Sequence, residues 1–244
     1  MEKNKNKTTN TQEENVPDYI GHRQRLKARF VSDLGRSMPD YEILELLLTY
    51  AIPRRDVKPI AKDLLRHYLN LANVLVAPPD ELMNLKGVGS SAAVLFAAVH
   101  ACARKITWEN LENRDIPTFS DKKMIAEFCR TSIGHAGQEQ LLVIYMDIKG
   151  NYLRDEIEQT GTIGAVMINP RDIVQKALMY KASRIIISHN HPSGDCTPSK
   201  SDIEMTKDLQ AALKTVKMRL EDHIIISPRE SFSMRDHFPF MNIF

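Results

Sequence analysis

Apolar residues recur at helical spacing through most of the first hundred positions, and strand-like runs appear only from about position 140. Residues 1–16 are polar with few apolar positions, which predicts a disordered tail. From 17 to 105 the pattern is helical nearly throughout. Tyr41 to Tyr50 places Ile43, Leu46, Leu47 and Tyr50 on one face, the expected core side of a buried helix. Asp56 to Leu69 and the alanine-rich run from Ser90 to Arg104 repeat that spacing. Prolines 39, 53, 59, 78 and 79 punctuate these runs, as helix-boundary residues should. With no convincing strand alternation, 17–105 reads as a small all-α domain.

Residues 106–120 hold the only tryptophan, Trp108, a charged run and Pro117, and read as a linker. From 121 to 244 the texture is mixed. A helix over Asp121–Ser132 precedes strand-like runs Gln140–Met146 and Tyr152–Gln159, joined by a turn at Lys149-Gly150. A helix opens at Pro170 and runs to Lys181. Arg184–Ser188 is a short continuous apolar strand of the buried kind. A loop with Pro192, Gly194 and Pro198 leads into a helix from Ser199 to about Lys217, and His223–Ser227 forms a last β run. Strands alternating with helices predict an α/β domain whose sheet is covered by helices.

Composition narrows the function classes. The 244 residues are 43% hydrophobic and 26% charged, ordinary for a soluble globular protein. No apolar run reaches bilayer-spanning length, and the N-terminus lacks the apolar core of a signal peptide, so no membrane partner and a cytoplasmic location are expected. Cys102, Cys129 and Cys196 are odd in number and widely spaced, which suits a reduced compartment rather than a disulfide framework. A net charge of +2 permits contact with nucleic acid without arguing for it.

The segment from Ser188 to Asp202, SHNHPSGDCTPSKSD, carries the most chemistry. His189 and His191 stand two apart at a strand end, and extended backbone puts both imidazoles on one face. The proline- and glycine-bearing turn lets the next helix bring Asp202 to the same point. Two imidazoles and one carboxylate leave tetrahedral zinc with an open position, the arrangement of catalytic rather than structural sites. Water there would have its pKa lowered towards neutrality. The plainer account is two surface histidines followed by a capping box, with Ser199 and Asp202 satisfying the first N–H groups of the helix. Cys196 is the sole thiol in the loop, and an inert loop thiol is the simpler reading. His223 would either support the site or simply close the next strand.

His189-x-His191, seven residues, Ser199, two residues and Asp202 together resemble the JAMM (MPN+) metalloprotease signature. Asn190, Pro192, Ser193, Gly194, Pro198 and Ser199 look more narrowly like the bacterial RadC family, and Pro170-Arg171, Asp222-His223 and the helical first half extend the similarity. The resemblance implies a JAMM/MPN, cytidine-deaminase-like α/β fold binding one Zn2+ per chain through His189, His191 and Asp202. It implies that Ser199 stabilises an oxyanion and that an upstream glutamate acts as general acid and base. Glu139, just before the first strand, holds that place, with Glu156 in the second strand as competitor. The implied activity is hydrolysis of a peptide or isopeptide-like amide in an unknown protein or peptide substrate. His-Glu-x-x-His and the zinc-deaminase pattern of His-x-Glu with Pro-Cys-x-x-Cys are both absent.

In the first domain, Leu82 to Ala93 looks like a helix-hairpin-helix. Gly87 and Gly89 bracket Val88, and a helix begins at Ser90. Glycines let backbone approach a phosphate, the N–H groups of the new helix attract it, and Lys86 adds charge. DNA without sequence preference is therefore a second expected partner, supported by the basic run Arg23, Arg25, Lys27 and Arg29. On that alternative the protein is a DNA-repair or recombination accessory and the metal domain is non-catalytic. The competing account of the hairpin is an ordinary glycine bend between packed helices.

Overall fold

The computed structural model describes residues 18–112, 121–159 and 169–238. The expected tail at 1–16 and the later part of the expected linker lie outside them. Six helices form the first half: α1 (Asp18–Asp33), α2 (Asp40–Ala51), α3 (Lys58–Tyr68), α4 (Leu71–Val76), α5 (Pro79–Met83) and α6 (Ser90–Glu112). Leu44, Leu48, Ile60, Leu64, Val74, Leu82 and Phe96 make their common core, and Leu26, Met38 and Leu46 form a smaller one beneath α1. Helix α2 is thus covered on two sides, which is why the single face expected for it is incomplete. Tyr50, expected inside, is 64% exposed, with the Lys27 ammonium 4.8 Å from its ring centroid.

Helix α6 runs through Glu112, so the stretch read as the start of a linker, 106–112, is helical. Trp108 has a packing reason to stay helical. Its ring meets Phe128 edge-on at 5.1 Å and lies 3.5 Å from that of Tyr152, inside the core of the second half. Arg104 adds an ion pair to Asp155 and donates to Ser132 Oγ (3.1 Å), and His100 Nε2 lies 2.8 Å from the Thr131 carbonyl.

The second half comprises α7 (Lys122–Ile133), β1 (Gln140–Met146), β2 (Tyr152–Gln159), α8 (Pro170–Met179), β3 (Arg184–Asn190), α9 (Lys200–Thr215), β4 (Arg219–Ile226), β5 (Ser231–Ser233) and the short α10 (Met234–His237). The strands form one mixed sheet in the order β2-β1-β3-β4-β5, in which only β3 and β4 are parallel. Strand alternation gives the sheet two apolar faces. Leu141, Val143, Tyr145, Ile185 and Ile187 pack under α8 and α9, while Leu142, Ile144, Met146, Ile186, Ile224 and Ile226 pack on α7 and Trp108. The helical first half and the helix-covered sheet agree with the expected fold classes.

Strand β4 begins four residues before the run expected at His223, and β-pairing there is irregular. Ile185 pairs with Leu220 but Ile186 pairs with Asp222, so Glu221 is an extra residue. Such a bulge resets the alternation. Leu220 and His223 consequently both face α9, whereas Ile224 and Ile226 face α7.

Candidate metal centre

His189 follows Ile185 and Ile187 on the α9 side of β3, opposite Leu141 of β1. His191 lies one residue past the strand and is tied to β4 by its N–H, which donates to the Ile226 carbonyl (2.9 Å). The chain then reverses through Gly194, whose φ of +93° suits glycine, and whose N–H donates to the His191 carbonyl (3.0 Å). The loop ends at Ser199, the N-cap of α9. Ser199 Oγ accepts from the Asp202 N–H (3.1 Å), and Asp202 Oδ2 accepts from the Ser199 N–H (2.7 Å). The capping box is real, and it aims the Asp202 carboxylate at the histidines.

His189 Nε2 lies 2.8 Å from His191 Nε2 and 3.3 Å from Asp202 Oδ1, and His191 Nε2 lies 3.6 Å from Asp202 Oδ2. Among the described residues this is the one group of histidine, cysteine and carboxylate side chains that converges closely enough for a metal, its ligand atoms all within 4.8 Å. Zinc bonds of about 2.0–2.2 Å in a tetrahedron separate ligand atoms by about 3.3 Å, close to the spacing found. The other ring nitrogens are already engaged. His191 Nδ1 is 2.6 Å from the Asp195 carbonyl, and His189 Nδ1 is 2.7 Å from His223 Nε2. The donor set, the spacing and the outer partners therefore fit zinc.

Burial shapes the charge of the group. Desolvation pushes His189 down to about 4, helped by neighbouring His191 and opposed by the Asp202 charge. Burial alone would raise the Asp202 carboxyl, but its bond to His191, the charge at His189 and its bonds to Ser199 hold it well below the usual range. His191 is raised by its bond to Asp202, against desolvation, with the Asp195 carbonyl and the charges of Asp202 and Glu139 adding to the effect. Fully buried His223 is pushed well below its ordinary value by desolvation, and so is neutral near pH 7.

Glu139 stands immediately before β1, half-buried, with its charge felt at His191. Its placement depends on Asn190, fully buried between the two site histidines. Asn190 Nδ2 donates to the carbonyls of Ala136 and Gln138 (both 3.1 Å), and Oδ1 accepts from the Gln140 N–H (2.7 Å). One side chain thus clamps the segment carrying Glu139 onto β3, the strand that carries His189. Glu156 sits elsewhere. It pairs with Val143, two residues along and two strands across from His189, or about 7 Å by 10 Å away. It is bound by Lys176 (2.8 Å), Arg154 (3.4 Å) and Tyr180. Exposed Ser199 keeps its hydroxyl hydrogen for donation, because the oxygen acts as acceptor in the cap. Cys196 is 5% exposed, burial raises its pKa, and it does not belong to the converging group.

A cleft of about 500 Å³ opens beside Glu139. Ala136–Gln140 line one wall, and Tyr68, Leu69, Asn73, Pro78 and Glu81 of the helical half line the other. Farther off, Lys86, Gly89 and Ser90 are exposed around a turn in which Val88 is buried. Gly87 has φ +95°, and a Cβ there would lie 2.9 Å from Ile60 Cδ1. Nothing lies within 4 Å of a Cβ at Gly89. Two members of the basic run of α1 bond within the helical half, while Arg25 and Lys27 are exposed. Arg23 donates to the Ile52 carbonyl (2.8 Å) and also reaches those of Pro53 and Arg55, and Arg29 pairs with Glu42 (2.6 Å). The clamping role of Asn190 and the partners of His223 were missed in the sequence. A buried asparagine between two histidines has no periodic signal, and the charged Glu221-Asp222 pair hid the start of β4.

A family model described as a RadC-like JAB domain matches residues 119–238. A UPF0758 protein of Ruegeria pomeroyi is 38% identical over 221 residues, 90% of this chain and 98% of the relative. Among the described residues no helix is long and apolar enough to cross a membrane. With similarity spanning nearly the whole relative and the JAB match covering the sheet and its three converging side chains, the chain belongs to the RadC family.

Proposed function

We propose that the protein is a zinc-dependent hydrolase of JAMM type acting on a peptide or isopeptide-like amide bond. The observation that carries this reading is the convergence of His189 Nε2, His191 Nε2 and the Asp202 carboxylate, with both Nδ1 atoms held by other partners. Bound zinc would supply a Lewis acid and an acidified water at near-neutral pH. Glu139 is the carboxylate set to take a proton from the attacking water and pass it to the leaving nitrogen. The Ser199 hydroxyl donates to the oxygen on which negative charge develops. Asn190 keeps Glu139 in register with the histidines, and the adjoining cleft gives a substrate a path bounded by the helical half.

Zinc-loaded full-length protein screened against peptide and isopeptide libraries tests the reading. Glu139→Gln should abolish cleavage with zinc content unchanged, and Glu156→Gln should leave most of it. The reverse pattern would overturn the assignment. The second reading, a DNA accessory protein, keeps one observation in its favour: packing does not demand glycine at 89, leaving room for close approach to a phosphate by Lys86, Gly87, Gly89 and Ser90. Salt-sensitive duplex binding that weakens in Lys86→Ala would support it.

A further inference from the structure

His223 is absent from the ligand group, yet it is wholly buried and both of its ring nitrogens are engaged. It reaches the site only because Glu221 is an extra residue in β4. Without that bulge the alternation from Leu220 would turn His223 towards α7. The bulge is anchored. Asp222 Oδ1 accepts from the N–H groups of His223 (2.7 Å) and Arg235 (3.1 Å), and its other oxygen accepts from Ser233 Oγ.

We propose that His223 and Thr206 are positioning residues, which together hold His189 in the tautomer whose Nε2 is free to bind metal. The proposal rests on the zinc-site reading only for the identity of the metal. Three bonds run in series: His189 Nδ1 to His223 Nε2 at 2.7 Å, His223 Nδ1 to Thr206 Oγ1 at 2.6 Å, and Thr206 O–H to the Asp202 carbonyl. A neutral imidazole donates from one nitrogen and accepts at the other, so every link must point the same way. With Thr206 donating to Asp202, its oxygen accepts from His223 Nδ1–H. His223 Nε2 then accepts from His189 Nδ1–H, and His189 Nε2 is left bare. The opposite direction takes the Thr206 proton away from the Asp202 carbonyl and places one on His189 Nε2, where it blocks coordination.

The series begins at one metal-site residue and ends on the main chain of another. It therefore also pins the first turn of α9, and with it the Asp202 carboxylate, to the β3–β4 pair. Hydrogen-bonded outer partners of this kind orient ligands and set metal affinity. An apolar residue at 223 would fill the position as core but could make neither of the two bonds that His223 makes.

Zinc affinity of the full-length chain, measured by competition with a chromogenic chelator, tests this, together with 15N NMR of the histidine rings in zinc-free protein. His223→Leu should weaken zinc binding about ten- to hundredfold, whereas His223→Gln, which can accept and donate in turn, should stay within about threefold. Thr206→Val, nearly isosteric, should weaken binding about tenfold and spread the His189 proton over both nitrogens. Wild-type affinity in His223→Leu would overturn the proposal, as would Gln performing no better than Leu. So would a wild-type His189 protonated on Nε2. Should His223→Leu fail to fold, Thr206→Val decides, and unchanged affinity with an unchanged tautomer contradicts the series. A wild-type chain that takes up no zinc would instead refute the site reading, while the zinc-free NMR still tests the hydrogen-bond order.

Discussion

Asn190 shows what a single side chain does for the site. Its three hydrogen bonds fasten the segment before β1 to the end of β3, and the side chain that makes them is fully buried. Asn190→Leu should therefore leave zinc content near wild type and lower cleavage at least about tenfold, the scale of a lost positioning contact. Unchanged turnover in that variant would free Glu139 of its clamp. Glu156 offers a contrasting prediction, about stability. Burial would raise its carboxyl, but bonds to Lys176 and Tyr180 lower it below its ordinary value. A depressed carboxylate stabilises the fold above its unfolded pKa, and that stability is lost as pH falls through its folded pKa. Lys176→Ala should cost about 1 kcal/mol or less at pH 7, the range for part-exposed ion pairs. The difference from wild type in urea unfolding should shrink as pH falls below the ordinary carboxylate range. At this scale the sequence was legible where spacing carries chemistry, at His189, His191, Asp202 and the Ser199 cap. It was silent on the role of Asn190, on Thr206 and on the way His223 faces, because those depend on how the elements pack.

Among the elements, β4 and α6 depart most from the pattern. The charged Glu221-Asp222 pair looks unlike a strand because one residue is a bulge and both carboxylates are satisfied, by Arg184, Arg235 and Ser233. Helix α6 outruns its expected end because tertiary packing of Trp108 overrides the weak local pattern. The turn into α6 separates two glycines that look equivalent in the sequence. Gly87 is required by its φ and by Ile60, so Gly87→Ala should destabilise by about 1–2 kcal/mol. Gly89→Ala meets nothing and should be neutral or slightly stabilising, as reduced freedom of the unfolded chain predicts. Thermal unfolding of the two variants checks this. Equal losses would contradict the assignment of the first glycine to packing and the second to open space.

In the whole molecule, the boundary between the halves is where the hydrophobic pattern said least. Trp108, Arg104 and His100 join α6 to α7 and β2, so the helical half is docked on the sheet. That docking builds the cleft beside Glu139, a feature no local pattern encodes, because its walls come from residues about sixty positions apart. The fold classes of the two halves were legible from periodicity. Their contact was not, since it depends on a helix continuing through a charged stretch. On the proposed function, the three converging side chains hold zinc for hydrolysis. Elemental analysis of full-length protein purified without added metal tests it most directly. Wild type should carry close to one zinc per chain, and a His189→Ala, His191→Ala double variant that remains folded should lose it. Equal metal content in the two proteins, or none in the wild type after exposure to zinc, would contradict it.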